Sequence, residues 1–233
     1  MCGRFIVSAS GSEIAEAFDL DDAIDVQPRY NVAPTTEVPC IRIDDGRRHL
    51  LKLRWGLVPS WAKDVTIGAR LINARIETLP EKSSFKASLE KRRCLVVSSG
   101  FYEWTGAARA RRPVLLRFED SRPFAYAGLW ARWQPRDGGT AIESCTIVTM
   151  APNALAARVH DRMPVILDPR VDRERITEWL DVTRTPDLAT LRVPRDLPGF
   201  HFYPVDQRVG NPRNNDPSCV APIGPADSLP GSA

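Results

Sequence analysis

The sequence predicts one α+β domain built around a mostly antiparallel, barrel-like sheet with a few helices. Short runs rich in β-branched and aromatic residues recur along the whole chain, whereas segments with helical periodicity are sparse. The two kinds of segment do not alternate regularly, which argues against repeated parallel βαβ units. No internal repeat or long linker divides the 233 residues, and a chain of this length can bury one hydrophobic core.

Strands are predicted wherever apolar residues alternate or cluster between turn-forming sequences. The runs with this pattern are residues 5–7, 38–43, 50–57, 94–97, 114–118, 125–129 and 142–149. Turns are predicted at Asp44-Asp45-Gly46 and at Asp137-Gly138-Gly139, because Asp and Gly adopt the backbone angles that tight turns need. A chain of short strands joined by such turns favours antiparallel neighbours.

Helical periodicity predicts three helices. In the first, Ser12 is the expected N-terminal cap; the second starts at Asp172, and the third covers residues 85–92. The apolar faces of the first two consist of Ile14, Ala17 and Phe18 and of Ile176, Trp179 and Leu180. We expect the domain to span residues 1–215, because residues 216–233 are rich in Pro, Gly and Ser and predict a flexible tail.

Composition excludes several classes of protein. No apolar run approaches the length of a membrane span, and the first residues lack a secretory signal, so we expect a cytoplasmic protein with no membrane partner. The five cysteines are scattered singly without a C-x-x-C pair, which predicts free thiols and neither a disulfide framework nor a zinc site. With three histidines in the chain, we expect no metal and no other cofactor.

The basic residues are mostly arginine. Only five of the 32 Lys and Arg residues are lysines, although the formal net charge is only +3. A planar guanidinium binds phosphate in two places and stacks on bases, so the bias favours a nucleic-acid partner. A genome rich in G and C would give the same bias, so this observation does not decide alone.

Cys2 has the greatest chemical consequence of any residue in the chain. If Met1 is removed, Cys2 carries an amine and a thiol on adjacent carbons, and such an aminothiol attacks an aldehyde twice to close a thiazolidine ring. An α-amine has a pKa near 8, so at neutral pH it offers on the order of a few hundred times more neutral amine than lysine. Taken alone, Cys2 is equally compatible with a small core residue.

Six sequence blocks and a C-terminal segment, all in order, resemble the SOS response-associated peptidase (SRAP) family. They are MCGRF at 1–5, RYNVAP at 29–34, RWGLVPSW at 54–61, INARIET at 72–78, SGFYEW at 99–104, VHDRMP at 159–164, and VGN with NN between 209 and 215. The resemblance implies a single α+β domain with a positively charged groove. It also implies recognition of abasic sites in single-stranded DNA, and covalent capture of the ring-opened aldehyde by Cys2 as a thiazolidine cross-link. A location at the nucleoid follows when DNA is bound.

The resemblance assigns catalytic roles to four residues: Cys2, Asn73, Glu103 and His160. Glu103 lies in a strand-like run between aromatic residues that would exclude water and raise its pKa, which suits an acid-base group, although an exposed strand glutamate is the commoner case. An imidazole with a pKa near 6.5 exchanges protons at cellular pH, although a lone histidine is more often structural or solvated.

Further residues are predicted to bind DNA. Phosphate contacts are expected from Arg4, Arg75, Arg162 and the hydroxyl of Thr149, although each arginine is also compatible with a solvated surface charge. Stacking or wedge surfaces beside the lesion are expected from Pro34, Trp61 and Trp104. Some family members have a second Trp after the first, where this chain has Ala62, which weakens the expected preference for junctions with duplex DNA.

Two other functions remain open from the sequence. One is a cysteine peptidase with autoprocessing activity, with Cys2 as nucleophile and Glu103 and His160 in support. The other is a non-covalent binder of single-stranded DNA, which leaves the position of Cys2 unexplained. A weak abasic-site lyase activity is expected beside cross-linking, because an imine intermediate permits β-elimination. We expect a monomer.

Overall fold

A computed structural model describes residues 2–107 and 110–229 and shows an α+β fold, as the sequence predicts. The strands are β1 Phe5–Val7, β2 Arg29–Val32, β3 Glu37–Asp44, β4 Arg47–Trp55, β5 Asn73–Arg75, β6 Arg93–Ser98, β7 Gly100–Thr105, β8 Arg112–Phe118, β9 Phe124–Trp133, β10 Ile142–Met150, β11 Met163–Pro164, β12 Ile166–Leu167 and β13 Phe200–Pro204. The helices are α1 Gly11–Phe18, α2 Lys86–Lys91, α3 Ala154–Ala157, α4 Arg173–Leu180 and α5 Leu188–Leu191.

Five strands close into a barrel in the order β10, β4, β3, β6 and β9, with β9 returning to β10. All pairings in this ring are antiparallel except that between β10 and β4. The β3–β4 hairpin turns at Asp45 and Gly46, whose positive φ angles of 51° and 78° match a tight two-residue turn. The barrel-like sheet and this turn are therefore confirmed.

A second, five-stranded antiparallel sheet has the order β13, β8, β7, β1 and β2. Its strand β1 packs on the barrel through Phe5, whose ring centroid lies 4.9 Å from that of Trp55 and 5.9 Å from that of Tyr126. The main hydrophobic core includes all three of these buried side chains. The chain's first strand therefore lies at the contact between the two sheets.

Helix α1 begins two residues earlier than the sequence suggested. Ser10, not Ser12, is the N-terminal cap: its hydroxyl accepts from the backbone N–H of Glu13, and the Glu13 carboxylate accepts from the N–H of Ser10. This reciprocal pair satisfies two N–H groups that the first turn leaves unbonded, which a cap at Ser12 would not do. The buried face includes Ile14 and Phe18 as expected.

Gly56 ends β4 and directs the chain into the loop that carries Trp61. Its φ of 125° is rarely adopted by residues with a side chain. A Cβ atom at this position would also lie 2.6 Å from the carbonyl oxygen of Gly68, which is too close for any real contact. The close approach of these two glycines therefore requires glycine at position 56.

Residues 216–229, whose composition predicts a flexible tail, contact the domain through the buried Cys219 and through backbone hydrogen bonds of Ile223 and Asp227 to β13. Asp216 caps a short 3₁₀ turn over Pro217–Val220, and Cys219 in that turn is fully buried. The carbonyl of Cys219 accepts a hydrogen bond from Tyr102 Oη at 3.2 Å. The prolines and glycines therefore shape tight turns here instead of leaving the chain loose, and residues 230–233 lie outside the described part.

All five cysteines are free, as predicted, and all are buried. Cys40 and Cys145 lie inside the barrel with their sulfurs 3.7 Å apart, and burial raises the pKa of both thiols. In the described residues no helix is long and apolar enough to cross a membrane.

Candidate active site

Cys2 is fully buried where the two sheets meet. The backbone leading from it into β1 is fixed by β7, because Tyr102 N–H donates to the carbonyl of Arg4 at 2.9 Å. The Cys2 carbonyl accepts from Asn73 Nδ2 at 2.8 Å. The pKa of the Cys2 thiol is raised, first by burial and then by the negative charge of Glu103. The segment is thus held from both sheets, with a carboxylate close to the sulfur.

Glu103 comes from β7 and is almost completely buried. Burial, together with the nearby charge of Asp161, raises its pKa to about 7. The carboxylate is thus removed from water by its position in β7. Both protonation states of Glu103 are therefore populated near neutral pH, which suits a group that takes up and returns protons.

Asn73 reaches Cys2 from the edge strand β5, which pairs in parallel with the end of β10. In this pairing Asn73 lies beside Ile147 and Arg75 beside Thr149. Only the amide nitrogen of Asn73 has a protein partner among the described residues; its Oδ1 atom is buried without one. Such an oxygen is suited to accept from an N–H or O–H of a substrate.

His160 follows α3 and lies partly buried beside Asp161 and Arg162. Its Nδ1 atom is 3.0 Å from the backbone N–H of Arg162 and 2.7 Å from Asp161 Oδ1. Burial lowers the pKa of His160, which favours the neutral ring. Nδ1 faces a donor in the Arg162 N–H and an acceptor in the Asp161 carboxylate, so one contact requires a proton on Nδ1 and the other requires its absence.

The predicted phosphate-binding residues differ in their exposure and in whether protein groups already bind them. Arg162 makes a two-point ion pair with Glu77, at 2.7 and 2.9 Å, and also donates to the carbonyl of Thr149 at 2.8 Å. The hydroxyl of Thr149 is buried and points to the carbonyl of Ala74 at 3.4 Å. Arg75 is exposed. Of this group, Arg75 is therefore the one whose guanidinium meets solvent directly.

Arg4 bonds the N-terminal segment to β2 and to residues near the C-terminal end of the sequence. Its Nη1 atom donates to Asn31 Oδ1 at 2.8 Å and to the carbonyl of Val209 at 3.0 Å. The Asn31 amide nitrogen in turn donates to the carbonyls of Val209, Asn211 and Asn214. The sequence did not assign a role to Asn31, although it lies in one of the quoted blocks, and the structure makes it the centre of this connection.

The predicted stacking residues differ in exposure. Trp61 is 54% exposed, whereas Pro34 and Trp104 are partly buried, and the Trp104 ring packs on Tyr102 at a centroid distance of 6.5 Å. Ala62 is buried, and its carbonyl accepts from Trp133 Nε1 at 2.9 Å. A larger side chain at position 62 would have to displace this packing. Trp61 is therefore the aromatic side chain that this loop exposes to solvent.

Sequence reasoning missed three residues near these groups: Glu77, Ser98 and Tyr126. Glu77 lies two residues after Arg75 in a quoted block, but its pairing with Arg162 joins positions far apart in the chain. Ser98 and Tyr126 face each other across neighbouring strands β6 and β9, with their oxygens 2.8 Å apart. A hydroxyl within an otherwise apolar strand was the only signal that could have indicated them.

The described residues contain no group of three His, Cys, Asp or Glu side chains placed to hold a metal ion. The arrangement instead brings together a thiol, a carboxylate with raised pKa, a carboxamide and a neutral imidazole. Such a set is suited to proton transfer around a nucleophilic addition.

Comparisons with known proteins extend over nearly the whole chain. Residues 1–212 match the family model described as SOS response associated peptidase (SRAP). The abasic site processing protein YoqW of Bacillus subtilis (strain 168) is 40% identical over 226 residues, which cover 94% of this chain and 99% of the relative. The abasic site processing protein HMCES of Xenopus tropicalis is 32% identical over 231 residues, covering 87% of this chain and 68% of the relative.

Among solved structures, a crystal structure of a protein from Bacteroides thetaiotaomicron has a TM-score of 0.81 at 26% identity and covers 95% of this chain and 99% of its own. The residues matched by the family model include every side chain placed in the site above.

Proposed function

The chain belongs to the SRAP family, and on that premise we propose that it processes abasic sites in DNA by forming a thiazolidine cross-link through Cys2. Relatives named abasic site processing proteins support the target. The observation that carries the mechanism is the setting of Cys2, which is held by Asn73 at its carbonyl and lies beside a carboxylate whose pKa is about 7. Single-stranded DNA is the proposed partner, and no cofactor is needed.

The proposed reaction has two bond-forming steps. After Met1 is removed, the Cys2 amine adds to the aldehyde of the ring-opened sugar, and loss of water gives an imine. The sulfur then adds to the same carbon, the C=N electron pair moves to nitrogen, and the proton lost by sulfur balances the one gained by nitrogen. Water is the only by-product. If the second step is slow, the imine permits β-elimination and strand cleavage.

Glu103, Asn73 and His160 have separate roles in this scheme. Glu103 moves protons during dehydration and ring closure, because both of its protonation states exist near neutral pH. Asn73 fixes the Cys2 backbone and offers its unpaired Oδ1 to the substrate. Burial favours the neutral ring of His160, and a neutral imidazole donates or accepts a proton beside the sugar.

The raised pKa of the Cys2 thiol argues against the peptidase alternative. A peptidase nucleophile needs a lowered thiol pKa, so that the thiolate is present at neutral pH. Burial and Glu103 instead raise the pKa of Cys2. In the proposed reaction the amine attacks first, and the sulfur acts only on a carbon already bound to it, so a low thiol pKa is not required.

The test uses the mature protein and an oligonucleotide with one abasic site. We expect intact mass to show loss of Met1, and denaturing gels to show an adduct that forms without borohydride. A matched variant with one extra residue before Cys2, retained after maturation, keeps the thiol but moves the amine and should give no such adduct. An adduct of equal yield from this variant would contradict the mechanism. Cleavage of peptide substrates would favour the peptidase, and salt-sensitive binding without any adduct would favour a non-covalent binder.

Arg75 should contribute to the first, non-covalent contact with the DNA backbone. Arg4 and Arg162 are already engaged by protein acceptors, whereas Arg75 is exposed. We expect Arg75→Ala to weaken binding to all single-stranded sequences about equally and to reduce the slope of log K against log salt by roughly one. Fluorescence anisotropy over a salt series measures both quantities.

The matched control for Arg75→Ala is Arg136→Ala. Arg136 is also exposed, but it lies in the connection before β10, at the opposite end of that strand from Thr149 and Arg75. A specific phosphate contact at position 75 would be contradicted if Arg75→Ala left the slope of log K against log salt unchanged. An equal loss of DNA affinity in Arg136→Ala would contradict it as well.

A further inference from the structure

Tyr126 is a buried residue of the barrel strand β9 that faces the N-terminal segment. Its ring is fixed by edge contacts with Phe5 and Phe101, at centroid distances of 5.9 and 6.2 Å. Its hydroxyl interacts with the thiol of Cys2 and is 2.8 Å from Ser98 Oγ. The Tyr126 oxygen therefore lies between a second hydroxyl and the sulfur that closes the ring.

Ser98 fixes the direction of these hydrogen bonds. Its oxygen accepts from Gly100 N–H at 3.1 Å and faces the carbonyls of Gly100 and Ile6 at 3.0 and 3.2 Å. Ser98 has one hydrogen. If it is donated to a carbonyl, Tyr126 donates to Ser98, and the Cys2 S–H faces the carbonyl of Arg4 at 3.9 Å. If it is donated to Tyr126, Tyr126 donates to the sulfur.

We propose that Tyr126 is a further catalytic residue of the thiol step, with Ser98 as its positioning residue. The proposal rests on the thiazolidine reaction proposed above. While Cys2 is a thiol, its S–H faces the carbonyl of Arg4 and Tyr126 donates to Ser98; as the proton leaves toward the Glu103 carboxylate, the two hydroxyls rotate and Tyr126 donates to the developing thiolate. No proton is gained or lost by Tyr126 or Ser98 in this reversal, so the atoms balance as in the two-step scheme.

The hydrogen bond from Tyr126 would stabilise a Cys2 thiolate that burial otherwise disfavours. The thiol is fully buried, and burial disfavours its ionised form. The titratable groups that face it are Glu103 from β7 and Tyr126 from β9, in addition to its own amine after maturation. A carboxylate cannot stabilise a second negative charge, so Tyr126 is the group that can hold the sulfur as it loses its proton.

The test compares Tyr126→Phe with the wild type on an abasic oligonucleotide. The variant keeps the ring and its packing but loses the hydroxyl. We expect imine formation, measured by borohydride trapping at early times, to remain at the wild-type level. Ring closure, measured as adduct that survives without borohydride, should slow at least roughly tenfold, because a hydrogen bond to a charged group contributes about that much. Strand cleavage at the lesion should rise, and ring closure should shift to higher pH.

Matched variants separate this role from a general loss of structure. Tyr203→Phe removes another largely buried tyrosine hydroxyl, bonded to the carbonyl of Val220 at 3.0 Å, and should behave as wild type. Ser98→Ala should shift the ratio of trapped imine to stable adduct in the same direction as Tyr126→Phe, by a smaller factor.

Two results in Tyr126→Phe would overturn the role of Tyr126. One is an unchanged ratio of trapped imine to stable adduct with an unchanged pH profile of ring closure; the other is an equal fall in the yields of imine and stable adduct. If the wild type itself gave no borohydride-independent adduct, the thiazolidine reaction would fail instead, and the two failures are thus distinguishable.

Discussion

Replacing Cys2 with serine is expected to abolish the stable adduct while leaving an imine that borohydride traps. Serine keeps the α-amine, so the first addition and the loss of water remain possible. The hydroxyl is a much weaker nucleophile than sulfur, so the ring does not close to a lasting product. The measurement is a pair of denaturing gels, with and without borohydride, on the same abasic oligonucleotide. Cys2→Ala should give the same pattern.

The matched control for this prediction is Cys219→Ala. Cys219 is also fully buried, but it packs with Tyr102 and Val209 in the smaller core cluster of the second sheet. This variant should lose some stability and still form the stable adduct. The prediction fails if Cys2→Ser reaches the wild-type yield without borohydride, because sulfur would then not be part of the product.

Glu103→Gln should slow adduct formation by roughly 10² to 10⁴, the range that a positioned acid-base group contributes. Glutamine preserves the size and much of the packing of the side chain but moves no proton. Single-turnover rates of stable adduct formation at pH 7 measure the loss. Glu119→Gln, at an exposed position after β8, is the control and should retain the wild-type rate.

The same substitution should raise stability at alkaline pH. Burial raises the pKa of Glu103 from 4.5 to about 7, so between these values the folded state keeps a proton that the unfolded state releases. The stabilisation is therefore complete below about pH 4.5 and is lost as pH rises through about 7. The shift corresponds to on the order of 3 kcal/mol. Relative to wild type, the free energy of unfolding of Glu103→Gln should rise by about that amount from pH 5 to pH 8, with denaturant titrations as the readout.

Much of the fold was accessible from the sequence because local pattern and tertiary position agree. Runs of apolar residues gave β3, β4, β9 and β10 within a few residues of their observed ends, and Asp45-Gly46 gave the hairpin turn. The pattern did not reveal β13, because its sequence FHFYP contains His201 and ends at a proline. For the segment after Asn215 composition does not decide, since proline and glycine occur in hydrogen-bonded turns, as over Pro217–Val220, as well as in loose chain.

The candidate site also contains some residues that the sequence indicated and others that it did not. Residues in the quoted blocks, such as Asn73 and Glu103, were accessible because their chemistry is visible in the sequence beside Cys2. Tyr126 and the Glu77–Arg162 pair were not, because they matter only through partners far away in the chain. Strand pairing and barrel closure decide those contacts, and a single sequence carries no direct sign of them.

The bond from Arg4 to the carbonyl of Val209 joins residues 205 positions apart. During synthesis, Cys2 leaves the ribosome long before Val209, so its aminothiol spends that interval without Arg4 anchored and without Asn31 bonded to the late segment. The contacts that fix Arg4 are thus completed only after residue 209 has been synthesised, and a chain truncated before Val209 would hold its N-terminal segment by fewer bonds.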